Sequence, residues 1–198
     1  DHRPVRCKKL WRHSGGRGVM AAVQQADGTW LHLISLYAPS NGGNIAGSFE
    51  RKQAASIASW LRARLREVNG KQVLVGGDLN AVLRRVDRRS KRLNQYDKSK
   101  DALPRILSES GYLDMSATRW GDREVYTQHC SNAGAQATSR IDQLHASRAL
   151  RQRSPDLLTH SFVGVDRVSA VVSTHHPVVA WLACDSGSGG QSAAPPRP

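Results

Sequence analysis

The sequence predicts an α/β sandwich, in which helices cover the outer faces of β-sheets. Residues 18–37 have the pattern of a β-hairpin made of two apolar strands. Residues 48–70 then repeat apolar residues at helical spacing, and the apolar strand "VLVGG" (73–77) follows at once. The order strand, helix, strand favours an α/β sandwich over a helical bundle.

The predicted hairpin has a first strand near residues 18–25, a turn on Asp27-Gly28 and a second strand near 29–37. Both faces of the second strand are largely apolar, which is typical of a central strand in a sheet covered on both sides. For the helix that follows, we expect Ser48 as the N-cap and Gly70 at the end.

Later elements are shorter. Residues 82–101 are polar and predict a loop, and residues 102–115 predict a short helix leading into a strand. Residues 123–129 predict a strand, 130–139 a loop of small residues and 140–147 a second strand. Residues 169–184 predict two β-branched strands around a polar turn. We expect one domain over 18–184, after a basic, irregular segment at 1–17 and before a disordered Gly/Ser/Pro tail at 185–198.

The chain is strongly basic, with a formal net charge of +13 and 29 Lys and Arg residues against 16 Asp and Glu. Arginine matches phosphate with a planar fork of donors, so this balance favours a nucleic-acid partner, although a high-GC genome also enriches arginine. Much of the charge lies in "RRVDRRSKR" (84–92). The residues expected to contact nucleic acid are Arg84, Arg85, Arg88, Arg89 and Arg140.

The three cysteines, Cys7, Cys130 and Cys184, are far apart and form no CxxC pair. A zinc site and a disulfide framework are therefore not predicted, and a reducing, intracellular location is the expectation. No run approaches the roughly 18 apolar residues of a membrane span, and no signal peptide is recognisable, so no membrane partner is expected.

Polar side chains follow the ends of four apolar strands, where an α/β fold keeps its sites. They are Tyr37 in "LYAPS", Asp78 and Asn80 in "GGDLN", Arg140 and Asp142 in "SRIDQL", and His175 in "STHHPV". Carboxylates, an amide and an imidazole are the groups that activate water and stabilise a phosphate. Each also has a structural interpretation: a core aromatic, turn residues, an Arg140–Asp142 pair, and a turn histidine.

In this order, the motifs resemble those of the endonuclease/exonuclease/phosphatase superfamily, and most of all the endonuclease domain of non-LTR retrotransposons. "SLYAPS", "VGGDLNAV", "SRIDQLHAS" and "STHHPVV" match four successive signatures, and "VYTQ" (125–128) resembles a weaker fifth. The resemblance covers about residues 18–183. It implies a four-layer α/β sandwich of two facing sheets with helices outside.

The resemblance also implies roles for individual residues. Tyr37 would contact the scissile phosphate, Asp78 would orient or deprotonate the attacking water, and Asn80 would bond to the same phosphate or water. Asp142 would orient His175, which would stabilise the charge developing on phosphorus. A divalent cation, Mg²⁺ or Mn²⁺, would neutralise phosphate oxygens and the leaving alkoxide.

Three departures bear on the metal. The family has a strand with an Asn and another with a metal-binding Glu ahead of the hairpin, and residues 1–17 contain neither. The first strands of the sandwich are therefore expected to be absent, which would expose a sheet edge. Thr174 stands where the family has Asp, and a register that uses His176 instead does not restore it. The metal ligands thus remain unknown.

The resulting expectation is a DNA-nicking endonuclease of a retrotransposon-like element, truncated, weakened in activity and originally part of a longer polyprotein with a reverse transcriptase, acting in the nucleus. Two alternatives stay open. One is a catalytically inactive nucleic-acid-binding remnant of the same fold, and the other is a phosphatase of small molecules. The oligomeric state is not predicted.

Overall fold

A computed structural model describes residues 6–39, 49–82, 84–90, 102–123, 125–132, 135–154, 161–163, 175 and 178–180. The predicted N-cap Ser48, the first of the two strands predicted within 169–184, and the tail at 185–198 lie outside these residues. Within them the chain forms an α/β fold whose largest part is one six-stranded sheet. This agrees with the predicted fold class.

The main sheet has the strand order β1-β2-β3-β4-β9-β6. Strands β2 and β3 form the predicted hairpin, β3 and β4 run parallel, and β9 runs antiparallel to β4. Because β3 and β4 lie in the middle, their apolar residues are covered on both faces, as the sequence indicated. The strands of this sheet are β1 (Cys7–Arg12), β2 (Gly18–Gln24), β3 (Trp30–Tyr37), β4 (Gln72–Asp78), β6 (Leu113–Asp114) and β9 (Asp142–Ala146).

Helices α1 (Phe49–Glu67) and α2 (Ala102–Glu109) cover one face of this sheet. Helix α1 presents Ile57 and Leu61, both fully buried, to the apolar side chains of β2, β3 and β4. Each such side chain contributes roughly 1.5–3 kcal/mol to folding through its removal from water. The helix ends at Glu67, and Gly70 completes the turn into β4 with a positive φ of 73°, close to the predicted end.

Helices α3 (Met115–Trp120) and α4 (Arg148–Arg153) pack on the other face, and neither was predicted. Each is only six residues long and contributes one large buried side chain, Met115 and Leu150. So short a segment does not complete the apolar repeat by which a helix is recognised in sequence. Both begin with a polar N-cap side chain that accepts a backbone N–H, Asp114 in α3 and Ser147 in α4.

Two small sheets complete the fold. One has the order β5-β8-β7 and the other pairs β10 with β11; these strands are β5 (Arg88–Ser90), β7 (Gln128–Asn132), β8 (Ala135–Ser139), β10 (Ser161–Val163) and β11 (Val178–Ala180). The loop predicted at 130–139 is therefore wrong, because those residues form most of the β7–β8 hairpin. The strand predicted at 123–129 begins only at Gln128, and part of the loop predicted at 82–101 is the strand β5.

The N-terminal segment also differs from its prediction as irregular chain. Strand β1 pairs antiparallel with β2, with a bulge between Lys8 and Leu10. This pairing occupies the backbone groups of β2 that the sequence led us to expect at an exposed edge. A bulge on the outermost strand makes that edge a poor template for pairing with another chain. Within the described residues, no helix combines enough length and apolar character to cross a bilayer.

Candidate active site at the ends of three central strands

Three of the predicted site residues lie side by side across the main sheet. Tyr37 is in register with Asp78 between β3 and β4, and Asp78 is in register with Asp142 between β4 and β9. Residues in register on neighbouring strands point to the same face of a sheet. The phenol and the two carboxylates therefore share one face at one edge, as the sequence analysis anticipated.

His175 joins this group through a hydrogen bond to Asp142. Its Nδ1 lies 2.9 Å from Asp142 Oδ2, and both side chains are partly buried. An ionised carboxylate can only accept, so the imidazole carries its proton on Nδ1 and donates it. The pairing predicted from the motifs is thus present, and the alternative pairing of Asp142 with Arg140 is not.

Asp78 sits in a less polar environment than an exposed aspartate. Burial raises the pKa of Asp78, and the neighbouring negative charge of Asp142 adds to the rise. Hydrogen bonding from Asn80 opposes it, with the Asn80 backbone N–H donating to Asp78 Oδ1 at 2.8 Å. A carboxylate with a raised pKa is a stronger base than an ordinary aspartate.

Asn80 shapes the turn after β4. Its φ is 46°, in the left-handed region that asparagine tolerates better than most residues. Its Nδ2 donates to the carbonyl of Ala38 at 2.8 Å and so ties the ends of β3 and β4 together. The structural interpretation of Asn80 as a turn residue is therefore correct, and in this arrangement its amide nitrogen is occupied by the backbone.

The glycine pair in "GGDLN" allows this close packing. Gly77 has a φ of 137°, and a Cβ at this position would lie 1.9 Å from the carbonyl oxygen of Leu36. No side chain fits at that distance. The second glycine of the motif is thus required for β4 to lie against β3 and to place Asp78 beside Tyr37.

Tyr37 is the most exposed member of the site. Its relative exposure is 54%, so the interpretation as a core aromatic is wrong. The guanidinium of Arg17 lies over the Tyr37 ring at 5.1 Å, and the Arg17 carbonyl accepts the Tyr37 N–H. This places a positive charge beside the phenol, on a residue that the sequence analysis did not single out.

The weak motif "VYTQ" supports the site from a neighbouring strand. Thr127 Oγ1 accepts the backbone N–H of Asp142 at 3.0 Å, and Gln128 Nε2 lies 3.2 Å from His175 Nε2. Gln128 also forms an antiparallel β-bridge with His175. The sequence marked these residues only by resemblance, because their partners are distant in the chain.

Arg140 was predicted to contact nucleic acid, and the structure does not support this. The side chain is 2% exposed, and its guanidinium donates to both carboxylate oxygens of Asp87 and of Asp114 at 2.8–3.0 Å. All of these groups are buried or nearly so, and the neighbouring Arg140 charge helps to keep the pKa of Asp114 below its ordinary value. Two carboxylates thus enclose the guanidinium and engage it within the fold.

The other predicted arginines follow β4 along the chain. Arg84 donates to Asp87 and to the Gly121 carbonyl, so it is partly committed to the fold. Arg85 begins a 3₁₀ turn (Arg85–Asp87), and the structure describes the backbone of Arg85 alone. In β5, Arg88 is partly buried and Arg89 is exposed. Binding of nucleic acid by Arg88 and Arg89 stays a prediction.

The residues fit a divalent cation in part. One oxygen each of Asp78 and Asp142 and one nitrogen of His175 lie within 4.8 Å of one another. Carboxylate oxygens are the ligands that Mg²⁺ and Mn²⁺ prefer. The imidazole nitrogens both have protein partners, so the two carboxylates are the available donors. Thr174 and His176 lie outside the described residues, and the predicted loss of the family's aspartate is not tested.

Solved structures with the same fold include three nucleic-acid enzymes. The endonuclease domain of TRAS1, a telomere-specific non-LTR retrotransposon, matches with a TM-score of 0.65 and 20% identity over 94% of this chain and 72% of that one. An AP endonuclease from Archaeoglobus fulgidus matches with a TM-score of 0.65 and 17% identity over 90% of this chain and 72% of that one. A 3′ phosphatase from Neisseria, bound to product DNA hairpin, matches with a TM-score of 0.62 and 16% identity over 90% of this chain and 72% of that one.

No family model and no curated protein matches the chain. The structural matches nevertheless extend over nine tenths of its length, with TM-scores of 0.62–0.65. The chain therefore has the endonuclease/exonuclease/phosphatase fold, and the resemblance drawn from its motifs is confirmed at the level of fold.

Proposed function

We propose that this protein is a metal-dependent phosphodiesterase that nicks DNA. The observation that carries the proposal is the group formed by Asp78 and the hydrogen-bonded pair of Asp142 and His175, next to the exposed Tyr37. A base, an oriented imidazole and an exposed phenol at the ends of neighbouring strands are groups that can catalyse phosphodiester hydrolysis. The similarity to the TRAS1 endonuclease domain and the net charge of +13 favour DNA as the substrate.

Each residue has a chemical role in this proposal. Asp78 accepts a proton from water, and the water oxygen attacks phosphorus while the bond to the deoxyribose oxygen breaks. That oxygen leaves as an alkoxide and takes up a proton from solvent. Tyr37 donates a hydrogen bond to a phosphate oxygen, with Arg17 beside it. His175, held by Asp142, stabilises the negative charge that builds on phosphorus. A divalent cation bound by Asp78 and Asp142 would neutralise phosphate oxygens and lower the barrier to attack.

A second function, DNA binding without cleavage, has support of its own. The net charge of +13 suits a polyanion, and the Asn80 amide nitrogen and both imidazole nitrogens of His175 have protein partners. Binding of this kind would weaken with salt and would not respond to Mg²⁺. The small-molecule phosphatase predicted as a further alternative would instead release inorganic phosphate from a monoester.

We propose in addition that the domain works within a longer polypeptide of a retrotransposon-like element, inside the cell and in the nucleus. The support is the likeness to the TRAS1 domain. A reading frame for a reverse transcriptase next to this sequence in the genome is the expected finding.

Nicking of supercoiled plasmid tests the proposed activity. The protein is incubated with plasmid and Mg²⁺, Mn²⁺ or a chelator, beside Asp78→Ala and the matched control Asp122→Ala, whose carboxylate is 99% exposed and does not belong to the group of Asp78, Asp142 and His175. We expect metal-dependent nicking that only Asp78→Ala abolishes. Salt-sensitive plasmid binding without nicking would favour the binding function, and phosphate release from a monoester without nicking would favour the phosphatase.

A further inference from the structure

Gln128 lies between two residues and contacts both with its side chain. Its backbone pairs in register with Ser139 of β8 in the three-stranded sheet. It also forms the isolated antiparallel bridge with His175. Its carboxamide contacts the same two residues. Ser139 Oγ donates to Gln128 Oε1 at 3.1 Å, and Gln128 Nε2 lies 3.2 Å from His175 Nε2. A chain of side chains thus runs from Ser139 through Gln128 and His175 to Asp142.

This chain determines which atoms donate. Asp142 accepts from His175 Nδ1–H, and Ser139 donates to Gln128 Oε1, which turns the amide N–H₂ of Gln128 toward the ring. His175 Nε2 is then the acceptor of an amide N–H. Both ring nitrogens are bonded, so the ring can neither turn over nor rotate without breaking a hydrogen bond.

The same chain can also hold a protonated ring. A hydroxyl both donates and accepts, so a half-turn of the Gln128 amide lets Oε1 accept from His175 Nε2–H while the amide N–H₂ donates to Ser139 Oγ. The number of hydrogen bonds is the same in the two arrangements. A leucine or methionine at position 128 could do neither, whereas glutamine suits both protonation states.

We infer that Gln128, anchored by Ser139, is a positioning residue that fixes the ring plane of His175 beside Asp142 and Asp78. The inference rests on the proposed function for its purpose, but its geometry stands on the hydrogen bonds alone. Thr127, the preceding residue, holds the backbone of Asp142. Two consecutive residues, Thr127 just before β7 and Gln128 at its start, thus contact the two members of the Asp142–His175 pair.

The experiment compares Gln128→Met with Gln24→Met, a matched change at a partly buried glutamine whose side chain donates to the Gly28 carbonyl in the β2–β3 turn. Nitrogen-15 NMR of the histidine side chains at pH 8.5, with His175 assigned through His175→Asn, reports the bonding of Nε2. In the native protein and in Gln24→Met we expect His175 with its proton on Nδ1 and an Nε2 resonance typical of a hydrogen-bonded acceptor. In Gln128→Met the Nε2 resonance moves to the position of a ring nitrogen without a bonded partner.

Activity provides a second readout. Removing a group that orients a functional side chain costs about 10- to 100-fold, so we expect kcat for nicking to fall by that order in Gln128→Met with KM nearly unchanged. Ser139→Ala should shift both readouts in the same direction by less, and it serves if Gln128→Met does not fold. An Nε2 resonance that Gln128→Met and Ser139→Ala both leave unchanged, in folded protein, would overturn the inference. No nicking by the native protein would overturn the proposed function and leave the NMR result to stand by itself.

Discussion

Asp78 and Asp142 lie directly opposite each other on neighbouring antiparallel strands, with their carboxylates within 4.8 Å of one another and of His175. Like charges in register across a sheet destabilise it, and partial burial of Asp78 increases that cost. A divalent cation bound between the two carboxylates would offset this cost. Without one, the pair is less favourable to the folded state than a pair with one neutral side chain would be.

Asp78→Asn should stabilise the fold while it removes activity. The folded state raises the pKa of Asp78, so it holds the proton more tightly than the unfolded chain and loses stability as the carboxylate ionises. Asparagine removes that charge and keeps an oxygen for the Asn80 N–H. We expect the melting temperature at pH 7 to rise by roughly 1–3 °C, corresponding to about 1 kcal/mol or less. Asp122→Asn should leave it unchanged, and a fall in Asp78→Asn would contradict the account.

A divalent cation should stabilise the native protein but not Asp78→Asn. Mn²⁺ binding to the folded state raises the melting temperature with concentration, because the ligand does not bind the unfolded chain equally. The effect should weaken on acidification at a higher pH than for an ordinary aspartate, since Asp78 takes up its proton earlier. Thermal melts over a Mn²⁺ titration at several pH values measure this. Equal responses in the two proteins would rule out Asp78 as a ligand.

Arg140→Met should destabilise the fold strongly. It leaves the carboxylates of Asp87 and Asp114 buried without their main cation, and breaking a buried pair in this way costs about 3–5 kcal/mol. Arg89→Met, at an exposed position, should cost less than about 0.5 kcal/mol. Urea unfolding followed by circular dichroism compares them. If Arg140→Met instead left stability intact and weakened DNA binding, Arg140 would be a phosphate contact after all.

Gly77→Ala should prevent the native packing of β3 against β4. The new Cβ would overlap the Leu36 carbonyl, and no side-chain movement can relieve a clash with backbone. We expect insoluble protein or a loss of several kcal/mol. Gly70→Ala is the control, because its φ of 73° is also positive but nothing lies within 4 Å of its Cβ position. That change should cost only about 1 kcal/mol.

His145 should make the fold sensitive to mild acid. Burial lowers the pKa of His145 to about 4 from 6.5, so between these values the unfolded chain binds a proton that the folded one does not. The contribution of neutral His145 to the free energy of unfolding is therefore fully present above pH 6.5. It declines as the pH falls toward 4, by about 3 kcal/mol in total. His145→Gln should flatten this dependence in urea unfolding at pH 7, 6 and 5. Parallel pH profiles for the two proteins would show that another group is responsible.

The sequence predicted the elements that carry strong apolar patterns and the residues at their ends. Strand β3, helix α1 and strand β4 each bury a regular set of side chains, so their positions and the convergence of Tyr37, Asp78 and Asp142 could be inferred. The hairpin over Gln128–Ser139 could not, because small and polar residues such as Ser131 and Ala135 lack alternation, and a strand of this kind depends on its partner.

The unexpected contacts of Arg140 and of Gln128 have a common cause. Arg140 stands among charged and polar residues in the sequence, and nothing local shows that Asp87 and Asp114, 53 and 26 positions away, enclose it. The side chain of Gln128 likewise contacts His175, 47 positions later. Both depend on tertiary contacts between residues distant in the chain, which apolar periodicity does not reveal.

Arg140 lies between β8 of the three-stranded sheet and β9 of the main sheet. One of its two partners lies next to the three-stranded sheet and the other in the main sheet. Asp87 directly precedes β5 of the small sheet, and Asp114 belongs to β6 of the main one. A single guanidinium therefore couples two sheets that share no strand. Local opening of either sheet would uncover the same buried charges, so amide protons of β5 and β6 should exchange with solvent together, as one cooperative unit.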